Sequence, residues 1–539
     1  MAHFFNAKED IVQDAVDGLV AASGGSLVRL DGFPFIRVVM RADWEKSKVA
    51  IISGGGSGHE PAHAGFVGEG MLTAAVCGDV FASPSVDAVL AAILAVTGQA
   101  GCLLIVKNYT GDRLNFGLAA ERARSLGLKV NMVIVEDDIA IPDLPKPRGV
   151  AGTLYVHKIA GAVSEAGGSF DDVTNAALRV KSSVVSIGMS LDTCTIPGTE
   201  KESRIAPGKI ELGLGIHGEA GAENIDYEGA VQAVSGAVAK LKPHLNDGKY
   251  AMLLNNLGGS TEIEMSVLTK CILESEIGDK LSHIIGPAPM MTALDMHGFS
   301  ISLYPLNLED EMLLAEPVAV RSWPEMRTLS KPVVMALPEG LQSPRPEPSA
   351  NEQSAALLKK SCEALIAAEA DLNTLDAKVG DGDTGTTLAT AARALLAGVD
   401  RMPLADHALL FKALGQELGQ TIGGSSGILL GIFFSAAGTA AENGQDLSGA
   451  LSLGLLRMQE VGGAHPGDRT MVDALAPAVS ALPNGLSEAA EAAREGANQT
   501  SKMLKAHAGR ASYVNAEQLE GVVDPGAEAV ARLFEALAT

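Results

Sequence analysis

Residues 48–61, KVAIISGGGSGHEP, place a short apolar run directly before a cluster of four glycines. Two similar runs follow, CLLIVK at 102–107 and KVNMVIV at 129–135, and helix-like patterns separate them. Apolar runs that alternate with helices are typical of a largely parallel sheet. Open α/β sheets bind ligands at the carboxyl ends of their strands, where glycines let backbone N–H groups approach a ligand closely. The stretch therefore predicts an α/β domain with a ligand site after residue 53.

The whole chain divides into three parts by composition. After the α/β region, residues 331–352, KPVVMALPEGLQSPRPEPSANE, contain too many prolines, serines and glycines for regular structure. Such a linker is long enough to place a second domain over a neighbouring subunit. Beyond it, Ala and Leu recur at helical spacing, so we predict an α/β domain over 1–330, a linker over 331–352 and an all-helical domain over 353–539. Three further strand patterns belong to the α/β domain: IELGLGI at 210–216, YAMLLNN at 250–256 and SISLYPL at 300–306.

Composition excludes several classes of protein. The net charge of -24 over 539 residues argues against a nucleic-acid partner, because binding polyanions requires clustered Lys and Arg. Five widely spaced cysteines predict no disulfide framework and fit a reducing cytoplasm. The N-terminus, MAHFFNAKEDIVQDAV, lacks the apolar core of a signal peptide, and the most apolar stretches, 86–106 and 428–441, are interrupted or too short to span a bilayer. We therefore expect a cytoplasmic protein without a membrane partner.

Polar side chains follow three of the predicted strands. His59 closes the glycine-rich loop, which is not a Walker A motif because no GKS or GKT follows. Lys107 and Asp112 begin and end the motif KNYTGD, and His217 follows residues 210–216. A single histidine is usually structural, so the prediction depends on all four side chains reaching one rim of the sheet.

These residue types suit the chemistry of a small ketone. A neutral imidazole can add to a carbonyl carbon and form a hemiaminal, which would select carbonyl compounds over plain polyols. A remaining hydroxyl of the ketone must lose its proton as it attacks phosphorus, and Asp112 is a suitable base. Lys107 or His59 would supply hydrogen bonds.

The strongest motif lies in the second domain, where residues 376–387 read DAKVGDGDTGTT. Asp376, Asp381 and Asp383 alternate with glycines in a loop that can curl back, so their charges repel unless a cation lies among them. Oxygen-only ligands favour Mg²⁺ over Zn²⁺. An EF-hand does not fit, because the loop lacks the third acidic ligand and the glutamate at position twelve. The alternative is a solvated acidic turn.

Residues 423–427, GGSSG, precede the apolar segment ILLGIFF and allow three interpretations. The first is a phosphate site, since a helix N-terminus exposes N–H groups. The second is the GxSxG motif of a serine hydrolase with Ser425 as nucleophile, but that motif requires a preceding strand, and HALLFKALGQELGQ at 407–420 is typical of a helix. The third is a plain turn between helices. Three later fragments would together close a nucleotide pocket: GDRTM at 467–471, GRASY at 509–513 and DPGA at 524–527.

The ordered combination of these motifs resembles the dihydroxyacetone kinase family in its single-chain, ATP-dependent form. The resemblance covers essentially the whole chain, and we find no departure that removes a functional residue. It implies that His217 binds dihydroxyacetone as a hemiaminal, that His59 is the acid–base partner and that Asp112 is also catalytic. The motifs that carry the resemblance are GGGSGHEP, KNYTGD and GIHGE in the first domain, and VGDGDTGTT, GGSSG, GDRTM, GRASY and DPGA in the second.

The resemblance also implies the binding sites. The substrate would lie among Gly56, Ser57, Gly58, His59, Lys107 and Asp112. Two Mg²⁺ ions, held by Asp376, Asp381 and Asp383, would bridge the phosphates of ATP. The nucleotide would be lined by Thr384, Gly385, Thr386, Thr387, Ser425, Ser426, Met471, Arg510, Asp524, Pro525 and Gly526.

From the resemblance we expect an α/β domain of two subdomains with largely parallel sheets, then a barrel of eight helices. We expect a homodimer with exchanged domains, and a glycerone kinase that uses exchangeable ATP, since both halves share one chain. Family members also phosphorylate glyceraldehyde or keto-tetroses, and some cyclise FAD; the motifs do not separate these activities. A non-catalytic sensor of ketone or nucleotide is a further hypothesis, but sensing alone would not require two metal ions.

Overall fold

The computed structural model describes residues 3–142, 146–339 and 346–539, with the backbone alone for residues 424–426. The chain divides into two compact units, Met1–Val333 and Val334–Thr539. All five cysteines are free thiols. Among the helices of the described ranges, none combines the length and the hydropathy that crossing a membrane requires.

The first unit begins with a subdomain built on a six-stranded sheet. Its elements are α1 (Ile11–Ala21), β1 (Leu27–Arg29), β2 (Val38–Arg41), β3 (Ala50–Ser57), β4 (Ala74–Val80), α2 (Val86–Val96), β5 (Cys102–Lys107), α3 (Thr110–Ser125) and β6 (Val130–Val135). The strands lie in the order β1-β2-β4-β3-β5-β6. β4, β3, β5 and β6 run parallel, whereas β1 and β2 are antiparallel additions at the edge. The predicted parallel sheet is thus confirmed around the glycine-rich strand.

Strand β3 is longer than the sequence predicts, because it continues through the first three glycines to Ser57. The glycines permit this by their lack of a side chain. A Cβ atom at Gly54 would lie 2.3 Å from the carbonyl oxygen of Val76, and one at Gly56 would lie 2.7 Å from the backbone nitrogen of Ala82. The turn predicted to bind a ligand therefore starts at Gly58, later than the end of the apolar run.

The second subdomain contains a seven-stranded sheet. Its elements are α4 (Thr153–Glu165), α5 (Phe170–Lys181), β7 (Val185–Ser190), β8 (Lys209–Leu212), β9 (Glu223–Asp226), α6 (Ala230–Leu241), β10 (Tyr250–Asn256), α7 (Glu262–Leu273), β11 (Leu281–Pro289), β12 (Gly298–Pro305), α8 (Leu308–Ala315) and β13 (Arg327–Thr328). The strand order is β13-β11-β10-β12-β7-β8-β9.

This second sheet corrects the prediction of largely parallel sheets. Only β10 and β11 pair in parallel, and every other neighbouring pair in the described sheet is antiparallel. A parallel pair needs a crossover, usually a helix, whereas antiparallel strands accept a short return. No helix separates β7 from β8, β8 from β9 or β11 from β12 in the described chain, so the chain reverses at each of these connections.

Helix α4 lies between the two sheets and joins them into one core. It is buried along nearly its whole length, and the Tyr155 hydroxyl donates to the carbonyl of Ala251 in β10 at 2.9 Å. Side chains alternate along each strand. Leu103 and Ile105 of β5 therefore face the α4 side, where they share a core with Leu253 of β10. Helices α2 and α3 cover the other face of the first sheet, and α6 and α7 cover that of the second.

The second unit is helical in its described residues. Its helices are α9 (Glu352–Ala367), α10 (Glu369–Val379), α11 (Thr384–Gly398), α12 (His407–Thr421), α13 (Gly424–Glu442), α14 (Leu447–Gly462), α15 (Val472–Ala481), α16 (Leu486–Thr500), α17 (Ala516–Leu519) and α18 (Pro525–Ala538). Eight of these described helices pack as successive neighbours in the order α9, α11, α12, α13, α14, α15, α16 and α18, and α18 returns to α9. The expected eight-helix barrel is confirmed, with α10 packed against α11 and α18.

Candidate active site

The loop after β3 is tied to the second subdomain by backbone hydrogen bonds. The N–H of Leu294 donates to the carbonyl of Gly58 at 2.8 Å, and the N–H of Thr292 donates to that of His59 at 3.1 Å. The Thr292 hydroxyl donates to the carbonyl of Glu60 at 2.9 Å. Because these bonds join loops that follow different sheets, the candidate site lies where the two subdomains meet.

His59 is fully buried in this loop and has a defined tautomer. Its Nδ1 atom lies 2.8 Å from the carbonyl oxygen of Thr292, so Nδ1 carries the proton and Nε2 has a free lone pair. Among the described residues, Nε2 has no hydrogen-bond partner. Burial holds the pKa of His59 well below its usual range, and the nearby charges of His217 and Lys107 lower it further. His59 is therefore a neutral imidazole whose acceptor nitrogen is buried and unpartnered among the described residues.

His217 reaches the same site from the second subdomain. The sequence predicted a strand up to residue 216, but β8 ends at Leu212, so His217 lies in the following loop. Its ring stands edge-on to three aromatic rings, with centroid distances of 4.3 Å to Tyr109, 4.7 Å to His59 and 5.5 Å to Phe81. The predicted meeting of His59 and His217 is present in the structure, although the two residues follow strands of different sheets.

Hydrogen bonds hold the His217 loop in place. The N–H of His217 donates to the Glu219 carboxylate at 2.8 Å, and Nδ1 of the ring lies 3.7 Å from the other carboxylate oxygen. Burial of Glu219 raises its pKa, but the hydrogen bond and charge of His217 outweigh it and bring the pKa to about 2. Arg204 donates to the carbonyls of Gly218 and Glu219 and pairs with Glu211 of β8 at 2.9 Å. The loop is thus fixed to its strand, and the ring of His217 faces Glu219 through Nδ1.

Lys107 and Asp112 converge behind the glycine-rich strand. Lys107 ends β5 and Asp112 lies in the first turn of α3, and both are almost completely buried. The Ser83 hydroxyl donates to Asp112 at 2.5 Å. A Cβ atom at Gly55 would lie 2.8 Å from Nζ of Lys107 and 3.4 Å from a carboxylate oxygen of Asp112. The glycine therefore leaves open the space between a cation and a carboxylate.

The remaining predicted substrate residues shape the loop. Gly56 packs against the backbone of Ala82, and Gly58 has a φ of 99°, which a side chain would disfavour. The Ser57 hydroxyl donates to the carbonyl of Gly78 at 2.8 Å. In this structure Ser57 thus contributes to the loop's conformation through its hydroxyl.

Sequence reasoning missed several residues of this pocket. Phe81 and Ser83 come from the end of β4, a strand that no motif singled out, whereas Tyr109 lies inside the quoted motif KNYTGD. His63 was also missed, although it follows His59 by one helical turn; its Nε2 atom lies 2.6 Å from Nζ of Lys107. The pairing of strands and the packing of α4 bring these residues together, and neither is visible as a local pattern.

The buried histidines predict a pH dependence of stability. Burial lowers the pKa of His157 to about 3 and holds those of His59 and His63 well below the ordinary value of 6.5. Below pH 6.5 the unfolded chain binds protons that the folded chain does not, so each histidine destabilises the folded state by about 1.4 kcal/mol per pH unit. Burial raises the pKa of Asp137 to about 6, so below pH 6 this carboxyl offsets part of the loss of stability that the histidines cause. We therefore expect the urea midpoint of the first unit to fall between pH 7 and pH 5.

The variant His157→Gln checks this origin, because it removes one of the three imidazoles. We expect its urea midpoint to depend less on pH than that of the wild type over the same range. An unchanged pH dependence would mean that His157 takes up a proton in the folded state as readily as in the unfolded chain.

In the helical unit, three carboxylates form a candidate metal centre. Oxygen atoms of Asp376, Asp381 and Asp383 lie within 4.8 Å of one another. Asp376 is buried at the end of α10 and accepts the N–H groups of Asp383 at 2.9 Å and Thr384 at 3.1 Å, which fixes the loop. Asp381 and Asp383 are exposed, and Gly382 between them has a φ of 80°. Three oxygen donors at this spacing fit Mg²⁺, which prefers carboxylate ligands and retains water.

The predicted nucleotide residues 384–387 form the first turn of α11. The side chain of Asn373 binds the backbone N–H of Thr386 at 3.0 Å and its hydroxyl at 2.9 Å, so this turn is anchored to α10. The guanidinium of Arg510 contacts the carboxylate of Asp381. The turn, the carboxylates and this arginine therefore adjoin one another.

Met471 and the turn at 524–526 also lie together. Asp524 caps α18 by accepting the N–H of Ala527 at 2.8 Å, and Pro525 is the first residue of that helix. Burial raises the pKa of Asp524 to about 6. A Cβ atom at Gly526 would lie 3.2 Å from Cβ of Met471, so the glycine permits close contact between the two segments.

The turn at 384–387 and the turn at 524–526 both lie next to one cluster of buried apolar side chains. Leu388, one turn into α11, and Ala529, one turn into α18, share a buried cluster with Leu372 of α10. The N-terminal turns of α11 and α18 therefore lie near each other, and helix N-termini favour anionic ligands.

The predicted residues Ser425 and Ser426 begin α13, and their side chains lie outside the described part of the structure. The element before them is helix α12. A nucleophile elbow requires a strand at that position, so the backbone argues against the hydrolase hypothesis.

Comparisons with known proteins cover both units. The Dak1 domain matches residues 17–322, and the DAK2 domain matches residues 378–539. A Citrobacter freundii protein named dihydroxyacetone kinase is 49% identical, with 99% of this chain and 98% of that protein covered. A Mus musculus protein named triokinase/FMN cyclase is 39% identical, with 99% and 97% covered. The crystal structure of the C. freundii dihydroxyacetone kinase with AMP-PNP and Mg²⁺ matches with a TM-score of 0.69 at 46% identity, covering 100% of this chain and 99% of that chain.

An α/β unit that matches Dak1, followed in the same chain by a helical unit that matches DAK2, defines a two-domain kinase. The chain belongs to the dihydroxyacetone kinase family. The resemblance found in the motifs is thereby confirmed.

Proposed function

We propose that the protein transfers the γ-phosphoryl group of Mg-ATP to dihydroxyacetone and forms dihydroxyacetone phosphate. The observation that supports this most strongly is the convergence of two imidazoles, an ammonium and a carboxylate in one pocket, with the rings of His59 and His217 4.7 Å apart. The carboxylate cluster of the helical unit supports the proposal, because its three residues could hold the metal ion that ATP requires. The names of the relatives agree with this reaction.

His217 would capture the ketone. Its Nε2 atom adds to the carbonyl carbon, while the ionised Glu219 stabilises the positive charge that develops on the ring. The neutral Nε2 atom of His59 takes up the ring's proton and returns it to the former carbonyl oxygen, so the product is a neutral hemiaminal. Compounds without a carbonyl group cannot form this bond.

Asp112 would act on the hydroxyl that receives the phosphoryl group. It accepts the proton of a primary hydroxyl as that oxygen attacks phosphorus, and the neighbouring ammonium of Lys107 donates a hydrogen bond to the same end of the substrate. In the helical unit, Asp376, Asp381 and Asp383 would hold Mg²⁺, which neutralises charge on the phosphates of ATP. The turns at 384–387 and 524–526, with Met471 and Arg510, would bind the nucleotide.

Other expectations remain predictions. They are a homodimer with exchanged domains, a cytoplasmic location, nucleotide contacts by Ser425 and Ser426, and activity on glyceraldehyde or keto-tetroses.

The direct test mixes the full-length protein with Mg-ATP and dihydroxyacetone and measures ADP and dihydroxyacetone phosphate. Glycerol is the control substrate, because it has the hydroxyls of dihydroxyacetone but no carbonyl group. Turnover of the ketone with little turnover of glycerol is expected. Equal turnover of both, or ADP without a ketone phosphate, would contradict the proposal. Ranking trioses and tetroses by kcat/KM then identifies the preferred substrate.

Gly55→Ala tests the geometry of the ketone pocket. The new methyl group would lie 2.8 Å from Nζ of Lys107. We expect kcat/KM for dihydroxyacetone to fall by about 10²-fold, because a displacement of about 1 Å at a reacting group has effects of this size. The KM for ATP should stay unchanged.

Gly229→Ala is the matched control, measured by the same steady-state kinetics. Like Gly55, Gly229 has a positive φ, which is 127° at this residue, but an added Cβ there meets nothing within 4 Å. It reproduces the backbone strain without filling the pocket. If both variants lost activity equally, strain rather than occlusion would explain the effect.

A further inference from the structure

A group of buried polar side chains lies beneath the ketone pocket and has no part in the reaction described above. Ser53 of β3 and Lys107 of β5 follow the alternation of their strands and face α4, as Ile51 and Leu103 do. Helix α4 presents His157 on the same side. Polar groups buried in such a place need hydrogen-bond partners, and these side chains supply them to one another.

The contacts within this group determine where the protons lie. The Ser53 hydroxyl donates to the carbonyl of Ile105 at 2.7 Å, which uses its only proton. Two imidazole nitrogens approach the Ser53 hydroxyl oxygen: Nδ1 of His63 lies 3.4 Å from it, and Nε2 of His157 lies 3.1 Å from it. Each of these nitrogens therefore faces a lone pair and must carry a hydrogen. His63 is left with a bare Nε2, which accepts a hydrogen bond from Lys107 at 2.6 Å.

This contact controls the direction of the ammonium group. Within the described residues, His63 is the one hydrogen-bond partner of Lys107 Nζ, and Asp112 acts on Lys107 through its charge, without a hydrogen bond between the two. A buried ammonium without another acceptor would turn to the nearest carboxylate. That carboxylate is Asp112, which converges with Lys107 at the space beside Gly55.

We infer that His63 is a positioning residue for the phosphoryl transfer: it binds Lys107 and holds the ammonium apart from Asp112, so that Asp112 stays available as the base. Nothing in the proposed reaction requires His63 to touch the substrate. The inference rests on the proposed function, since it assigns the residue a role in that reaction. The structural part of the inference, that His63 is neutral and accepts a hydrogen bond at Nε2, can be tested without any measurement of activity.

His63→Met and His63→Gln form the kinetic test. Methionine fills the space but accepts hydrogen bonds only weakly, whereas glutamine presents an amide oxygen near the position of Nε2. We expect His63→Met to lower kcat/KM for dihydroxyacetone by about 10²-fold, in the range of a lost acid–base contribution. His63→Gln should retain most of the wild-type kcat/KM for dihydroxyacetone. The KM for ATP should not change in either variant. Equal losses in both variants would assign His63 to packing and overturn the inference.

The pH profile separates positioning from packing. Once Lys107 pairs with Asp112, the carboxylate is a weaker base, so the acidic limb of kcat in His63→Met should move to lower pH while the maximum rate falls. The groups facing Lys107 from the surrounding elements are His59, His63, Asp112, Asp137 and His157. A profile of unchanged shape would count against the inference.

His157→Gln is the matched control. His157 shares the Ser53 hydroxyl, is equally buried and, among the described contacts, has no hydrogen bond with Lys107. We expect its kinetic constants for the ketone to stay near those of the wild type. A loss as large as that of His63→Met would mean that any disturbance of this core impairs the site, which contradicts a specific role.

Two further measurements keep the inference testable if His63→Met does not fold. His63→Leu, which cannot accept a hydrogen bond, should lower kcat/KM in the wild-type background but have no additional effect in a Lys107→Met background, because a residue that acts only through Lys107 has nothing left to position. Nitrogen NMR of the wild-type protein labelled in histidine should find His63 neutral, with the hydrogen on Nδ1. The other tautomer or a protonated ring would overturn the inference, even if the wild type proved inactive on dihydroxyacetone.

Discussion

Replacing His217 with alanine is expected to lower kcat/KM for dihydroxyacetone by about 10³-fold or more, because it removes the nucleophile that we propose captures the ketone. The residue lies at the centre of the pocket, with its ring against Tyr109, His59 and Phe81. Its loop is held by Arg204 through backbone carbonyls and the side chain of Glu211, so the loop should survive the substitution. Affinity for ATP should be unchanged, since the residues proposed to bind the nucleotide lie in the other unit.

The covalent step can be observed directly. With dihydroxyacetone labelled with ¹³C at the carbonyl carbon, wild-type protein should convert part of the ketone signal into that of a protein-bound tetrahedral carbon, distinct from the signal of the free ketone's hydrate, and His217→Ala should not. His244→Ala is the control, because His244 is an exposed histidine of the same unit. A tetrahedral signal that persisted in His217→Ala would show that another residue binds the carbonyl.

Asp381→Ala is the second substitution expected to have a large effect, again about 10³-fold or more in kcat, because metal ligands stabilise charge throughout phosphoryl transfer. Asp381 is exposed and contacts Arg510, whereas the buried Asp376 also accepts two backbone N–H groups. Loss of Asp381 should therefore weaken Mg²⁺ binding without unfolding the loop. The ketone site should be unaffected, so the tetrahedral carbon signal should remain.

Calorimetric titration of Mg²⁺ in the presence of a non-hydrolysable ATP analogue measures the metal site itself. Asp400→Ala is the control, since Asp400 is an exposed carboxylate of the same unit outside the cluster. Normal turnover by Asp381→Ala, or equal loss of Mg²⁺ affinity in both variants, would show that the metal is held elsewhere.

The features that could be predicted from sequence were local. The acidic cluster spans eight residues, 376–383, so a short glycine-containing loop suffices to bring its carboxylates together. The parallel core of the first sheet followed from apolar runs separated by helical patterns. The antiparallel second sheet was mispredicted because strand direction depends on how the chain returns, and the apolar runs themselves do not encode that return.

The neighbours of the reacting groups were beyond prediction. Phe81 and Ser83 enter the pocket through the pairing of β3 with β4, and His63 meets Lys107 because both pack under α4. None of these contacts has a spacing signal in the sequence.

By itself, the sequence of this protein determined the residue types of the chemistry and the local motifs that present them, because hydrogen-bonded loops and strand alternation act over a few residues. Only the tertiary structure decided that His217 would meet His59 across two sheets, and that Lys107 would bind His63 rather than Asp112. Those choices depend on burial: side chains far apart in the chain are forced to become each other's partners once water is excluded from the space between the sheets.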